Sequence, residues 1–267
     1  MQTSQKEKPL ISSSIFRSMQ ALCPLVLGVL ASQALGAPTV QPAAGHVVNA
    51  NWGGAVLEGR GYDYVTGVLT VPAISGQAAD ASASIWVGID GNDCHTAILQ
   101  TGITVFGDGS LHTWAEWWQY DAEAYPGAPL AVGAGDALRL TVHATSRTSG
   151  TTTVENLTRG GARTKTFSSV TPYPLCETDA EWIVEDYKHN GRPVDFVDFG
   201  RFAFADAYAR NGAGQAVTPE GAQILNVRID GGDKTRCASD RRGVYCSYVR
   251  DFGSQESRNT TAAEAIV

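Results

Sequence analysis

Ile85-Trp86-Val87-Gly88-Ile89-Asp90, Thr96-Ala97-Ile98-Leu99-Gln100-Thr101-Gly102-Ile103-Thr104 and Thr113-Trp114-Ala115-Glu116-Trp117-Trp118-Gln119-Tyr120 follow one another within a stretch of fewer than forty residues. They are rich in β-branched and aromatic residues and are separated by Gly, Asn and Asp, which is the signature of short strands joined by turns. The same signature marks residues 64–71, 137–146, 151–156, 163–167, 181–187, 194–199, 202–208, 223–230 and 244–251. No stretch sustains a helical period. Many short strands imply an all-β sandwich or barrel. Breaks such as Ser75-Gly76-Gln77 and Tyr125-Pro126-Gly127 read as surface loops, and no internal repeat is present.

Side chains alternate across a strand, so parity sorts them onto two faces. Ile85, Val87 and Ile89 are apolar and belong to a core; Trp86, Gly88 and Asp90 share the other face. Trp114, Glu116, Trp118 and Tyr120 lie on one side of their strand. Glu181, Ile183, Glu185 and Tyr187 lie opposite Trp182 and Val184. Three strands thus each carry a face that mixes aromatic rings with carboxylates, the composition of a binding groove.

The chain has 267 residues, 43% of them hydrophobic, enough for a full core. A pI near 5.2 and a net charge of -7 argue against a nucleic-acid partner and against an anionic membrane surface. No apolar run after residue 40 is long enough to span a bilayer. Residues 1–37 read as a secretory signal peptide: Lys6, Lys8 and Arg17 precede an apolar stretch at 21–31, and small residues follow up to Ala37. Residues 38–267 are then expected to form a single secreted domain. Removing 1–37 lowers the basic count from 20 to 17 and the acidic count from 27 to 26, so the net charge moves to about -9.

Cys23 leaves with the leader, and Cys94, Cys176, Cys237 and Cys246 remain. An even number in an exported chain suggests two disulfides. Cys237 and Cys246 flank a turn-like segment and would staple a hairpin, leaving Cys94 and Cys176 to close a long loop. No CxxC or His-rich spacing supports a metal site, and no metal or other cofactor is expected.

Several standard chemistries lack their residues. There is no G-x-S-x-G, no H-E-x-x-H, no Asp-Thr-Gly or Asp-Ser-Gly, and no Gly-rich phosphate loop. Glu181 and Glu185 are four residues apart on one strand, about 13 Å, which is too far for a glycosidase pair. A pair drawn from two strands stays open, as does a carbohydrate-binding module that uses the Trp-lined face.

Segments in order along the chain resemble the glutamic peptidases, or eqolisins. They are Asn51-Trp52-Gly53-Gly54-Ala55-Val56-Leu57, Trp86-Val87-Gly88-Ile89-Asp90-Gly91, Thr96-Ala97-Ile98-Leu99-Gln100-Thr101-Gly102, Trp114-Ala115-Glu116-Trp117, Val154-Glu155-Asn156-Leu157-Thr158, and Cys176-Glu177-Thr178-Asp179-Ala180-Glu181-Trp182-Ile183-Val184-Glu185-Asp186. The resemblance implies an antiparallel two-sheet β-sandwich of the concanavalin A kind. It implies acid endopeptidase activity on polypeptides, with a catalytic Gln at Gln100 and a catalytic Glu at Glu185. Glu181 becomes a neighbour rather than the base. Trp86, Asp90, Trp114 and Glu116 match positions that line or support the cleft, and Cys94 and Cys176 match a cysteine pair. A monomer is expected.

The chain departs from the family pattern at Thr104 and His112, where acids are usual. About a dozen residues separate Ala37 from Asn51, where the fungal relatives carry a long propeptide, so self-inhibition by a propeptide is not expected. The 17 basic residues of the mature chain are unusual for the fungal members and imply self-repulsion in strong acid, hence a milder acid optimum. Asn156-Leu157-Thr158 and Asn259-Thr260-Thr261 fit the glycosylation pattern.

Overall fold

The computed structural model describes residues 46–250. The expected signal peptide, the polar tail after Phe252 and Asn259 lie outside the described residues. Within them there are nineteen strands and no α-helix. In chain order the strands are β1 (His46–Asn49), β2 (Trp52–Glu58), β3 (Tyr62–Thr70), β4 (Ser82–Ile89), β5 (Ile98–Phe106), β6 (Leu111–Trp118), β7 (Glu123–Ala124), β8 (Ala137–Ser146), β9 (Ser149–Asn156) and β10 (Ala162–Phe167). They continue with β11 (Asp179–Glu185), β12 (Lys188–His189), β13 (Arg192–Pro193), β14 (Arg201–Asn211), β15 (Ala216–Val217), β16 (Gln223–Ile229), β17 (Gly232–Asp233), β18 (Thr235–Asp240) and β19 (Gly243–Tyr248).

Two large sheets result. The first runs β1-β16-β2-β11-β4-β5-β6-β7, with β17 attached to β16; the second runs β10-β9-β8-β3-β14-β19-β18, with β15 attached to β14. All pairings are antiparallel except β1 with β16. This is the expected two-sheet sandwich. The meander β4-β5-β6 forms locally, but β11 arrives from far along the chain and inserts between β2 and β4. That insertion places Glu181 and Glu185 one strand away from β5, the strand of Gln100.

The main core lies between the sheets. Ile85, Val87, Ile89, Trp182 and Val184 of the first sheet join Val65, Leu69, Leu138, Leu140, Val142, Val154 and Phe204 of the second, all fully buried. Burying each such side chain is worth about 1.5–3 kcal/mol. The other face of the first sheet carries a second apolar cluster, Trp52, Val56, Trp86, Ile98, Trp114, Ile183 and Leu225. Parity therefore read the two faces correctly for β4, β6 and β11.

Both cysteine pairs are bonded: Cys237 with Cys246 across β18 and β19, and Cys94 with Cys176 across 82 residues of chain. Residues 194–199, expected as a strand, are not one. Phe196 makes a single isolated bridge to Ser82. The Gln77 side-chain amide takes the place of a neighbouring strand by accepting from Asp198 N–H at 2.9 Å and donating to Asp198 C=O at 2.8 Å. Asn156, read as a glycosylation acceptor, is 1% exposed, and its Nδ2 donates to Ala131 C=O and Asp136 Oδ2. A glycan has no room there in the folded chain.

Candidate active site

The second face of the first sheet is laid out in rows fixed by the strand register. In one row Trp52, Glu185, Ser84, Thr104 and His112 stand side by side. The next holds Ile183, Trp86, Gly102 and Trp114. The third holds Val56, Glu181, Gly88, Gln100 and Glu116.

Two glycines make this packing possible. A Cβ on Gly102 would stand 2.2 Å from Ile85 C=O and 2.6 Å from the Trp86 Cβ. One on Gly88 would stand 2.8 Å from the Trp86 ring and 3.1 Å from Glu181 Oε2. Trp86 therefore lies down along the sheet over Gly88, with the edge of Trp52 against its ring at 4.9 Å.

In that position the Trp86 Nε1 donates to Glu185 Oε2 at 3.0 Å, and Asn51 Nδ2 donates to Glu185 Oε1 at 3.1 Å. Asn51 is placed by its own turn, in which Asn49 Oδ1 accepts from the backbone N–H of Asn51 and Trp52. Both carboxylate oxygens of Glu185 are thus held by neutral donors. Burial raises the Glu185 pKa above 4.5, and hydrogen bonding from Trp52, Trp86 and Asn51 partly opposes the rise.

Gln100 is 5% exposed, and its Nε2 donates to Glu116 Oε2 at 2.7 Å across the β5–β6 register pair. Its Oε1 is buried without a partner. Burial first, and then the charge of Glu185, push the Glu116 pKa up to about 7, against the hydrogen bond from Gln100. The interaction between the two carboxyl groups is mutual: a charge on either one holds the proton on the other.

Glu181 is fully buried, and neither carboxylate oxygen has a hydrogen-bond partner. Burial, then the charges of Asp179 and Asp90, raise its pKa well above 4.5. It is not presented to a substrate. Asp186, next to Glu185, is 5% exposed and pushed up to about 6 by burial and then by Asp195.

The expectation for Asp90 needs correction. It does not line the cleft but is fully buried, at φ 68, just past the end of β4. Its Oδ2 accepts from the backbone N–H of Cys176 and Glu177, and its Oδ1 from those of Thr178 and Asp179. Asp90 is a clamp that shapes the turn leading into β11. It lies beside the Cys94–Cys176 disulfide, so neither the thiols nor the carboxylate oxygens are free to hold a metal.

Trp86 is fully buried and Trp114 is 9% exposed, with its Nε1 buried without a partner. Thr104 Oγ1 hydrogen-bonds Ser84 Oγ at 2.9 Å, and exposed His112 sets its ring edge against Phe106. Asn51 and Trp52 are the site residues that strand reading missed. Their signal was the Asn-Trp-Gly-Gly motif itself, whose meaning depends on β2 pairing with β11.

An antiparallel sandwich that carries two partly exposed carboxyl groups and one nearly buried amide on one sheet face offers the groups that a carboxyl–amide hydrolase would use. Comparison with known proteins narrows this. The profile of the Peptidase A4 family matches residues 50–248. The chain is 41% identical to aspergillopepsin-2 of Aspergillus niger over 223 residues, covering 75% of this chain and 78% of that protein. It is 41% identical to scytalidopepsin B of Scytalidium lignicola over 209 residues, covering 76% and 79%. The crystal structure of scytalido-glutamic peptidase with a peptide-based transition state analogue superposes with a TM-score of 0.70 at 40% identity, covering 76% of this chain and 100% of that one. Aspergilloglutamic peptidase from Aspergillus niger gives a TM-score of 0.59 at 42% identity, covering 63% and 99%. The chain belongs to the Peptidase A4 family, the eqolisins, and is a peptide hydrolase of the glutamic type. The glycoside-hydrolase and sugar-binding readings fall away.

Proposed function

We propose that the protein is a secreted, monomeric acid endopeptidase in which Glu185 is the general base and Gln100 the oxyanion donor. The observation that carries this reading is the seat of Glu185, a partly exposed carboxylate oriented by two neutral donors on the face that also bears a nearly buried amide. Neutral donors fix its direction and lower its basicity less than a cation in their place would. Glu185 takes a proton from water as the water oxygen attacks the scissile carbonyl carbon. The carbonyl oxygen becomes an oxyanion, and the Gln100 amide donates hydrogen bonds to it. Protonated Glu185 then passes its proton to the departing nitrogen. The C–N bond breaks, leaving a carboxylic acid and an amine.

An amide donor does not titrate, whereas an imidazole base would be protonated and idle in acid. The raised Glu185 pKa supports a moderate rather than an extreme acid optimum, because the base must be ionised. Exposed Trp118, beyond Glu116 on the same side of β6, extends the face on which a polypeptide substrate lies. A structure of scytalido-glutamic peptidase with a peptide-based transition state analogue supports a substrate of this class.

The test is kcat on a denatured protein at about pH 4, where Glu185→Gln and Gln100→Ala should each lose about 10²-fold or more. Activity surviving both substitutions overturns the reading. Secretion is checked by N-terminal sequencing of the exported protein, which should begin close to Pro38.

A further inference from the structure

Just beyond Glu185 the chain turns into a short hairpin. β12 and β13 pair Lys188 with Pro193 and His189 with Arg192, and Val194 N–H donates to Tyr187 C=O at 3.1 Å, so the same register runs back to Tyr187. Asn190 at φ 52 and Gly191 at φ 75 close the hairpin, the pair of positive φ values that a tight two-residue turn needs. Residues two apart on a strand share a face, and so do residues directly paired. Tyr187, His189, Arg192 and Val194 therefore stand on one face of the hairpin, with Lys188 and Pro193 on the other. The Tyr187 hydroxyl, 2.9 Å from Ser82 Oγ, shows which face that is. Ser82 has the parity of Ser84 and Trp86, on the side of β4 that faces Glu185 across the register. His189 and Arg192 thus prolong the Glu185 side of β11 past the end of the sheet.

Among the described residues neither side chain has a hydrogen bond or an ion pair, and both are exposed. Elsewhere Arg139, Arg159, Arg210, Arg228, Arg241 and Arg242 are each matched to a carboxylate. In acid an imidazole is a cation. His189 and Arg192 then face each other as like charges, which is unfavourable across a strand pair and is relieved by an anion set between them. The carboxylates nearby do not supply it. By the same register Asp186 and Asp195 fall with Lys188 on the opposite face, where the charge of Asp195 reaches Asp186.

We propose that the His189–Arg192 pair is a specificity element of the peptidase, selecting substrates that carry an acidic side chain about three or four residues from the scissile bond. This rests on the reading of Glu185 as general base. Four residues of extended strand, about 13 Å, separate Glu185 from His189, and an extended substrate covers that length with about four residues. The pair is exposed and screened, so it gives a gain of a few-fold in kcat/KM and not an absolute requirement. The α-carboxylate at the end of a substrate has the same chemistry, and blocking the peptide ends separates the two.

The experiment starts from a cleavage site located by mass spectrometry in a denatured protein. A peptide spanning that site is made with a single Glu or a single Gln at each position on either side of the scissile bond, its ends acetylated and amidated. The measurement is the Glu/Gln ratio of kcat/KM at about pH 5, where peptide carboxylates are mostly ionised. Wild type should give a ratio of about 3–10 at about three or four residues from the scissile bond, shrinking toward one in about 0.5 M NaCl. His189→Gln with Arg192→Gln should bring the ratio to about one, and His189→Gln with Arg192→Glu should bring it below one. A wild-type ratio near one at every position, a ratio that the double variants keep, or a gain confined to peptides with a free C-terminus overturns the proposal. If Glu185→Gln cleaves the peptides as well as wild type does, the underlying reading has failed instead. Should the variants not fold, the salt dependence in the wild type decides the matter, and a ratio that salt leaves unchanged refutes the proposal.

Discussion

Replacing Glu181 by Gln should stabilise the protein as the medium approaches neutrality. Glu181 is fully buried, its oxygens have no hydrogen-bond partners, and Asp179 and Asp90 are its charged neighbours. Its folded pKa lies well above the value of 4.5 that applies when the chain unfolds. Between those two values the folded state binds the extra proton, so stability falls as pH rises. The slope is about 1.4 kcal/mol for each pH unit above about 4.5, until the folded group itself ionises. For a body of this size that is about 3–5 °C of Tm per pH unit. The amide of Gln is close in shape and does not titrate, so Glu181→Gln should lose this slope and leave the contributions of Glu116 and Asp186. The assay is thermal unfolding of wild type and variant in steps from about pH 4 to about pH 7. The reasoning is refuted if the two Tm curves stay parallel across that range.

Trp86→Phe keeps a ring over Gly88 but removes the Nε1 donor from Glu185. That hydrogen bond lowers the Glu185 pKa, so the acid edge of the kcat profile should move to higher pH, by up to about one unit. Asp90→Asn removes the charge that four backbone N–H groups share. It should cost about 2–4 kcal/mol in thermal unfolding and leave KM of the folded enzyme unchanged, which a cleft-lining residue would not do. Opening the Cys94–Cys176 bond frees a loop of 82 residues and opening Cys237–Cys246 one of 9. Chain entropy sets these losses at about 4.5 and about 2.6 kcal/mol, so double Cys→Ser variants compared by denaturant unfolding should rank in that order.

The face that carries the site was legible because strand alternation needs no knowledge of partners. Trp86, Trp114, Glu116, Glu181 and Glu185 all fall where parity puts them. What alternation cannot supply is the order of strands. β11 comes to lie between β2 and β4 through long-range pairing, so nothing local to Asn51 shows that it holds Glu185. Parity also fails where a strand ends. β4 stops at Ile89, and Asp90 turns at positive φ, so its side chain leaves the row that alternation had assigned to it. Residues 194–199 show the converse error: a strand-like composition whose backbone groups are partly taken by the side chain of Gln77.

Three glutamates on one sheet face are chemically alike in the sequence and differ only in what surrounds them. Glu185 has hydrogen-bond donors on both oxygens, Glu116 has one amide beside it, and Glu181 has no partner. Each donor favours the charged form and so opposes the rise that burial imposes on all three. The departures at Thr104 and His112 belong to the same logic. Both stand in the Glu185 row, where the family usually carries acids, and neither is negative here. After burial, the charge that raises Glu185 is that of Asp186. A carboxylate at either position would add a further negative charge to that row and raise Glu185 more. Thr104 and His112 leave that row without those added charges.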